Sequence, residues 1–218
     1  MDIGVLGATG PAGRAMVLRL ASVGFDVAVG SRSAARAAET CDELLAEFPD
    51  HDLSIRSGDN GEAADCELVI IATPWEAAPE VASTVARHLN RKVVICMSNA
   101  LARVAGEFQP LVPPRGSVSA NVQAMVPGAY VVAAMHHVPA VELGAIEDEV
   151  HSDVLICSDH PWAIETVSRI VEKIPGARPL DAGRLSNATA IEAFTAVMLQ
   201  LNTRYKTRVA VRFIGIDD

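Results

Sequence analysis

The chain has 218 residues, half of them hydrophobic, with 27 acidic side chains against 18 basic ones and a formal charge of −9. That length buries one sizeable core or two small ones sharing an interface, and the acidic balance excludes nucleic acid as a partner, because no clustered basic face is on offer. No apolar run reaches the roughly 18 residues of a membrane-spanning helix and Met1 leads straight into a strand, so a cytoplasmic protein with no membrane association is expected.

Strand and helix signals alternate through the first half. DIGVLG (2–7) reads as a strand, AGRAMVLRLASVG (12–24) as an amphipathic helix, DVAVGS (26–31) as a strand, and an alanine-rich helix runs from Ser33 to about Glu47. LSIRS (53–57) and the wholly apolar ELVIIAT (67–73) are further strands, followed by a helix over 76–89 despite Pro79 and the strand KVVICMS (92–98). Apolar strands alternating with helices specify an α/β fold with a Rossmann-type doubly wound, mostly parallel sheet covered on both faces.

Beyond Ser98 the pattern loosens. Pro110, Pro113, Pro114 and Gly116 mark a connecting loop and 119–125 a short helix. Strands are expected at 129–138 and 153–159, a helix at 161–174 opened by Asp159 or His160 with Pro161 in its first turn, and a long terminal helix at 187–208. The chain therefore divides into 1–130 and a smaller C-terminal α/β extension, 131–218, whose strands extend the same sheet and which ends in the long helix. VAVRFIG (209–215) predicts a surface buried against the first domain or across a dimer. Cys41, Cys66, Cys96 and Cys157 stand far apart, two of them in apolar runs, which predicts buried reduced thiols with neither disulfide nor metal site.

Between the first strand and the first helix stands GATGPAG, with Gly7, Gly10 and Gly13. In a βα turn the first glycine permits the bend, and small residues beside it let the backbone approach a pyrophosphate at the helix N-terminus. Thr9 occupies the usual second-glycine place and Ala12 the third, so the spacing itself is of moderate specificity. Thr9 offers a hydroxyl to phosphate, and Pro11 fits the helix start. The strand before and helix after supply the context that the motif demands.

At the end of the second strand a dinucleotide fold that prefers NAD places an acid for the ribose 2′-hydroxyl. Here Ser31 and Arg32 stand instead, with Arg36 one helical turn on. A hydroxyl and a guanidinium satisfy a 2′-phosphate that a carboxylate would repel, which indicates NADP.

With GATGPAG, GSRSAAR, IATPWEAA, MHHVPA and LDAGRLSNATAIEAFT in this order, the sequence resembles the NADPH-dependent coenzyme F420 reductases over nearly its whole length. The resemblance implies a dimeric oxidoreductase moving hydride between NADP(H) and the deazaflavin coenzyme F420. It implies an NADP-binding domain (1–130) that uses Gly7, Thr9, Gly10, Pro11, Ala12, Gly13, Ser31, Arg32 and Arg36, with Thr73, Pro74 and Trp75 along the nicotinamide ribose. It implies a substrate-binding unit (131–218) with His136, Val138 and Pro139 in the deazaflavin pocket. Two departures stand near that pocket: MSNALARV (97–104) where archaeal members carry Pro-Leu-Val, and His137 where a small hydroxyl residue often follows the histidine.

Hydride exchange between two rings asks the protein chiefly to stack them and exclude water. No Ser-His-Asp order and no HExxH motif is present. Ser98 and Asn99 are candidates for the nicotinamide carboxamide, and His136 for a polar contact rather than for acid-base work. Other NADP-dependent reductases and a non-enzymatic NADP-sensing module remain the alternatives, since a Rossmann fold does not by itself reveal chemistry.

Overall fold

A computed structural model describes residues 1–216. In chain order its elements are β1 (Asp2–Leu6), α1 (Pro11–Ser22), β2 (Asp26–Ser31), α2 (Ala34–Glu47), β3 (Ile55–Asp59), α3 (Asn60–Ala64), β4 (Leu68–Ile71), α4 (Ala78–Thr84), α5 (Ala86–Leu89) and β5 (Val93–Cys96). There follow β6 (Leu101–Val104), β7 (Glu107–Pro110), α6 (Val118–Met125), β8 (Tyr130–Ala133), α7 (Ala140–Gly144), β9 (Ser152–Ile156), α8 (Pro161–Val171), β10 (Ala177–Asp181) and α9 (Ala188–Tyr205).

Six strands pair in the order β3-β2-β1-β4-β5-β8, all parallel. The order reverses between β1 and β4, and ligands of such sheets collect at that point, beyond the strands' carboxyl ends. Period-2 alternation splits the apolar strands between two cores. Ile3, Val5, Leu68, Ile70, Val93 and Ile95 enter one core with α1 and α8, while Leu6, Val69, Ile71, Val94 and Cys96 enter the other with α6 and α9. Burying each such aliphatic side chain contributes about 1.5–3 kcal/mol. A strand one residue out of register would exchange the two sets.

The second half departs from its sequence reading in several places. The strand expected at 129–138 stops at Ala133, where the chain turns through Met135 with φ +66°. The strand expected at 153–159 is β9, which pairs in parallel with β10 as a separate two-stranded sheet. Its pairing with the central sheet is one antiparallel bridge, Ala133 to Cys157, so of the second-half strands β8 extends that sheet as expected, whereas β9 and β10 do not. The expected helix over 76–89 is two, broken at Val85. β6 and β7 form an antiparallel hairpin closed by Ala105 and Gly106, both at positive φ.

The terminal helix ends at Lys206 in the left-handed conformation. The following segment buries its side chains only in part: Val209 and Val211 are half-buried, whereas Phe213 is 39% and Ile214 fully exposed. What is held is its backbone, since Asp153, itself fully buried, donates its N–H to Val211 O and accepts from Phe213 N. All four cysteines are buried and unpaired. Burial pushes the Cys96 and Cys157 thiols up to about 12, which keeps them protonated.

Candidate active site

The turn after β1 is built as its glycines require. Gly7 takes φ +80°, and a Cβ at Gly13 would lie 2.6 Å from Gly7 O, so this glycine lets α1 close on the strand end. Gly10 is the N-cap of α1 and Pro11 its first residue, and no side chain caps the first-turn amides. An uncapped helix N-terminus with a bare backbone approach suits an anion.

Two cavities meet at this turn. The first, about 710 Å³, is bounded by Gly7 and Thr9, by Ser31, Arg32 and Arg36 at the end of β2 and the start of α2, and by Asn60. Ser31 is buried and its Oγ accepts from Ser33 N, leaving its own proton to donate outward. The second cavity, about 600 Å³, is bounded by Ala12, Trp75, Ser98, Asn99, His136, Val138, Pro139 and one face of α9. Both volumes suit a cofactor-sized ligand. Gly10, Pro11, Ala72, Thr73 and Pro74 line both, so the two spaces form one trough over the switch point.

Among the described residues, the buried side-chain atoms without a hydrogen-bond partner are Asn60 Oδ1, Thr73 Oγ1, both ring nitrogens of His136 and Nδ1 of His137. Every one belongs to a residue that lines the trough. Buried polar groups are normally satisfied, so a concentration of orphans along one groove marks where a polar ligand completes the bonding.

His136 stands at the carboxyl end of the sheet. Burial, and next the charge of His137, hold its pKa down to about 3, so the ring is neutral at physiological pH. The Met97 and Ser98 backbone lies near it and favours the charged form, yet neither ring nitrogen completes a hydrogen bond. Its carbonyl is clamped by Asn99 Nδ2 at 2.9 Å and Thr195 Oγ1 at 3.2 Å. That clamp holds the turn through Met135, whose positive φ costs about 1–3 kcal/mol. His137, which also lines the second cavity, is anchored through Nε2, bonded to Asp153 O at 2.7 Å.

The structure thus brings together nearly every residue singled out from the sequence. Ser98 and Asn99 line the second cavity but are engaged already, Ser98 Oγ donating to Thr73 O at 2.7 Å and Asn99 to His136 O, so they knit the turns after β4, β5 and β8 to one another. Gly13 lines neither cavity and acts through packing. Sequence reasoning missed Asn60 and the whole α9 contribution, Thr195, Met198, Leu199 and Asn202, together with Arg208 and Val209 beyond it. The signal was a polar Thr195 and Asn202 at i and i+7 within an otherwise apolar stripe.

The F420-dependent NADP reductase of Methanothermobacter marburgensis is similar to this chain, 32% identical over 219 residues that span 96% of each protein. The chain belongs to the F420-dependent NADP reductase family. Another member, from Methanocaldococcus jannaschii, is 31% identical over 213 residues and 95% of each protein. The family model described as NADP oxidoreductase, coenzyme F420-dependent, matches residues 2–100, which carry the glycine turn, the Ser-Arg pair and the Thr-Pro-Trp turn. A crystal structure from Arthrobacter sp. FB24 shares the fold with a TM-score of 0.82, 23% identity and coverage of 98% of this chain and 100% of that one. Likeness to the reductase family spans both halves of the trough, since the full-length alignments include α9.

Proposed function

We propose that this reductase moves hydride between NADP(H) and coenzyme F420, with the adenosine half of NADP in the first cavity and the nicotinamide facing the deazaflavin in the second. The observation that carries this reading is the continuity of the trough: the cationic Ser31, Arg32 and Arg36 end joins the His136, Val138 and Pro139 end across the uncapped N-terminus of α1. Its length and polarity suit an extended dinucleotide whose 2′-phosphate lies at one end and whose reactive ring lies at the other.

In this reading Gly7, Thr9, Gly10, Pro11 and Ala12 hold the pyrophosphate, Gly13 lets the helix approach, and Ser31, Arg32 and Arg36 hold the 2′-phosphate. Thr73, Pro74 and Trp75 run along the nicotinamide ribose, with Ser98 and Asn99 behind the ring. His136, Val138 and Pro139 face the deazaflavin. The bound pair supplies hydride exchange between C4 of the nicotinamide and C5 of the deazaflavin. The chain supplies alignment and a dry wall, Met198, Leu199 and Val138 shielding the rings from water. The neutral His136 contributes hydrogen-bonding capacity without placing a positive charge beside a departing hydride.

Residues 131–218 serve in this account as the substrate-binding unit, and the enzyme works as a cytoplasmic homodimer on small-molecule partners. The dimer is supported by the outward face of α9, where Phe194, Val197, Leu201 and Tyr205 are exposed at helical spacing. No helix among the described residues is long and apolar enough to cross a membrane. Mixing the protein with NADPH and oxidised F420 tests the activity. Rapid loss of deazaflavin absorbance with NADPH and slow loss with NADH is expected. Binding of NADPH with the deazaflavin untouched would leave a different reductase or a sensor.

A further inference from the structure

We propose that Arg208 is the specificity-determining cation that docks an anionic chain carried by the deazaflavin substrate, on a strap folded back over the second cavity. The proposal rests on the reading of that cavity as the deazaflavin site. Although the chain has 27 acidic residues, no Asp or Glu among the described residues lines this cavity, and among them Arg208 is the one arginine or lysine that does.

The position of Arg208 is built rather than incidental. α9 ends where Lys206 takes the left-handed conformation, and Asn202 closes the reversal twice, its carbonyl accepting from Thr207 N at 3.3 Å and its Oδ1 from Val209 N at 2.7 Å. Asn202 itself lines the cavity, so the turn returns Arg208 and Val209 to the same wall. Five residues further on, Phe213 N is bonded to the buried Asp153 carboxylate at 2.6 Å. The strap is thereby held on both sides of Arg208.

Charge along the strap points the same way. Arg204, Lys206, Arg208 and Arg212 occur between Thr203 and Phe213 with no acid among them. Arg204 is paired with Glu107 and Arg212 with Asp153, whereas no acidic partner faces Arg208 among the described residues. A solvent-facing guanidinium at the rim of an otherwise uncharged cavity suits a phosphodiester or carboxylates trailing from a ring buried further in. Coenzyme F420 carries both, a phosphodiester followed by glutamates.

The test compares three substrates with NADPH saturating: full F420, its phosphodiester form without glutamates, and the tail-less deazaflavin. Turnover gives KM, and quenching of deazaflavin fluorescence gives binding in parallel. For Arg208→Gln the KM for full F420 is expected to rise about tenfold, with that for the tail-less form changing less than about twofold, and Arg208→Lys recovers much of the loss. Raising salt from about 50 mM to about 500 mM weakens full F420 in the wild type and not in Arg208→Gln. A loss shared by the phosphodiester form assigns the contact to phosphate, and a loss confined to full F420 assigns it to the glutamates. An equal rise for the tail-less form, or none for full F420, overturns the proposal. Deazaflavin binding without turnover would sink the reductase reading and leave Arg208 to be judged by quenching alone, while a wild type that binds no deazaflavin removes both.

Discussion

Arg19 is the largest wholly buried side chain in the molecule and offers a sharp test of how the site is supported. From α1 its guanidinium donates to the carbonyls of Glu142, Leu143, Ala145 and Ile146 at 2.7–3.3 Å, gathering the orphaned carbonyls at the C-terminal end of α7. α7 begins at Ala140, directly after Pro139, and Pro139, Ala140 and Val141 line the second cavity. Arg19→Met keeps most of the volume but removes every donor. The Leu143 and Ile146 carbonyls lie in buried bonds, and at about 1–3 kcal/mol for each buried group left unsatisfied the variant loses roughly 2–6 kcal/mol. That is a large share of the roughly 5–15 kcal/mol typical of a folded domain. Urea unfolding should show a lower midpoint at unchanged slope, and at permissive temperature the KM for F420 should rise more than the KM for NADPH. Arg19→Lys, with three donors for four carbonyls, should fall between the two. A midpoint within about 0.5 kcal/mol of wild type would mean that water already serves these carbonyls and would refute the reasoning.

Three further perturbations address the trough itself. Arg32→Ala should weaken NADPH by about tenfold in a fluorescence titration while leaving NADH little changed; equal effects on both would show that Arg32 does not read the 2′-phosphate. Gly10→Ala and Gly13→Ala should part company. An added Cβ at Gly10, which lines both cavities, meets only Gly7 O at 3.6 Å, so that variant should fold but bind NADPH poorly, whereas at Gly13 it strikes backbone and melting temperature should fall; matching behaviour would contradict the division of roles. His136 has its folded pKa held far below the ordinary 6.5, so the unfolded chain binds more protons between about 3 and 6.5. Its stabilising effect is therefore complete above pH 6.5 and fades as pH falls, and between pH 7.5 and pH 5 it accounts for about 2 kcal/mol of lost stability. His136→Gln should flatten that dependence in urea titrations at the two pH values, and an unaltered dependence would place the protonating group elsewhere.

The central sheet was legible because β1, β4 and β5 are buried on both faces and so read as unbroken apolar runs, with glycine and serine punctuation at their ends. β10 was hidden by its own sequence, ARPLD, in which Pro179 argues against a strand; it is accommodated because β10 pairs on one side only. The β6–β7 hairpin was missed because LARV and EFQP are half-exposed and short, and its Ala-Gly turn is a weaker sign than Asn-Gly. At the site, the glycine turn and the Ser-Arg pair are local signals in one βαβ unit, and local signals survive in sequence. Thr195, Asn202 and Arg208 reach the trough only because α9 packs back across the sheet's carboxyl end, a long-range event that a helical stripe does not reveal. Arg19 stood in the apolar face of α1, where only its four carbonyl partners, more than 120 residues away, explain a buried cation.

The most direct test of direct ring-to-ring transfer uses NADPH fully deuterated at C4. Reduced F420 isolated after a single turnover should carry one deuterium at C5 by mass spectrometry, as direct transfer from one ring to the other requires. Product without deuterium, its C5 hydrogen drawn from solvent, would contradict the account.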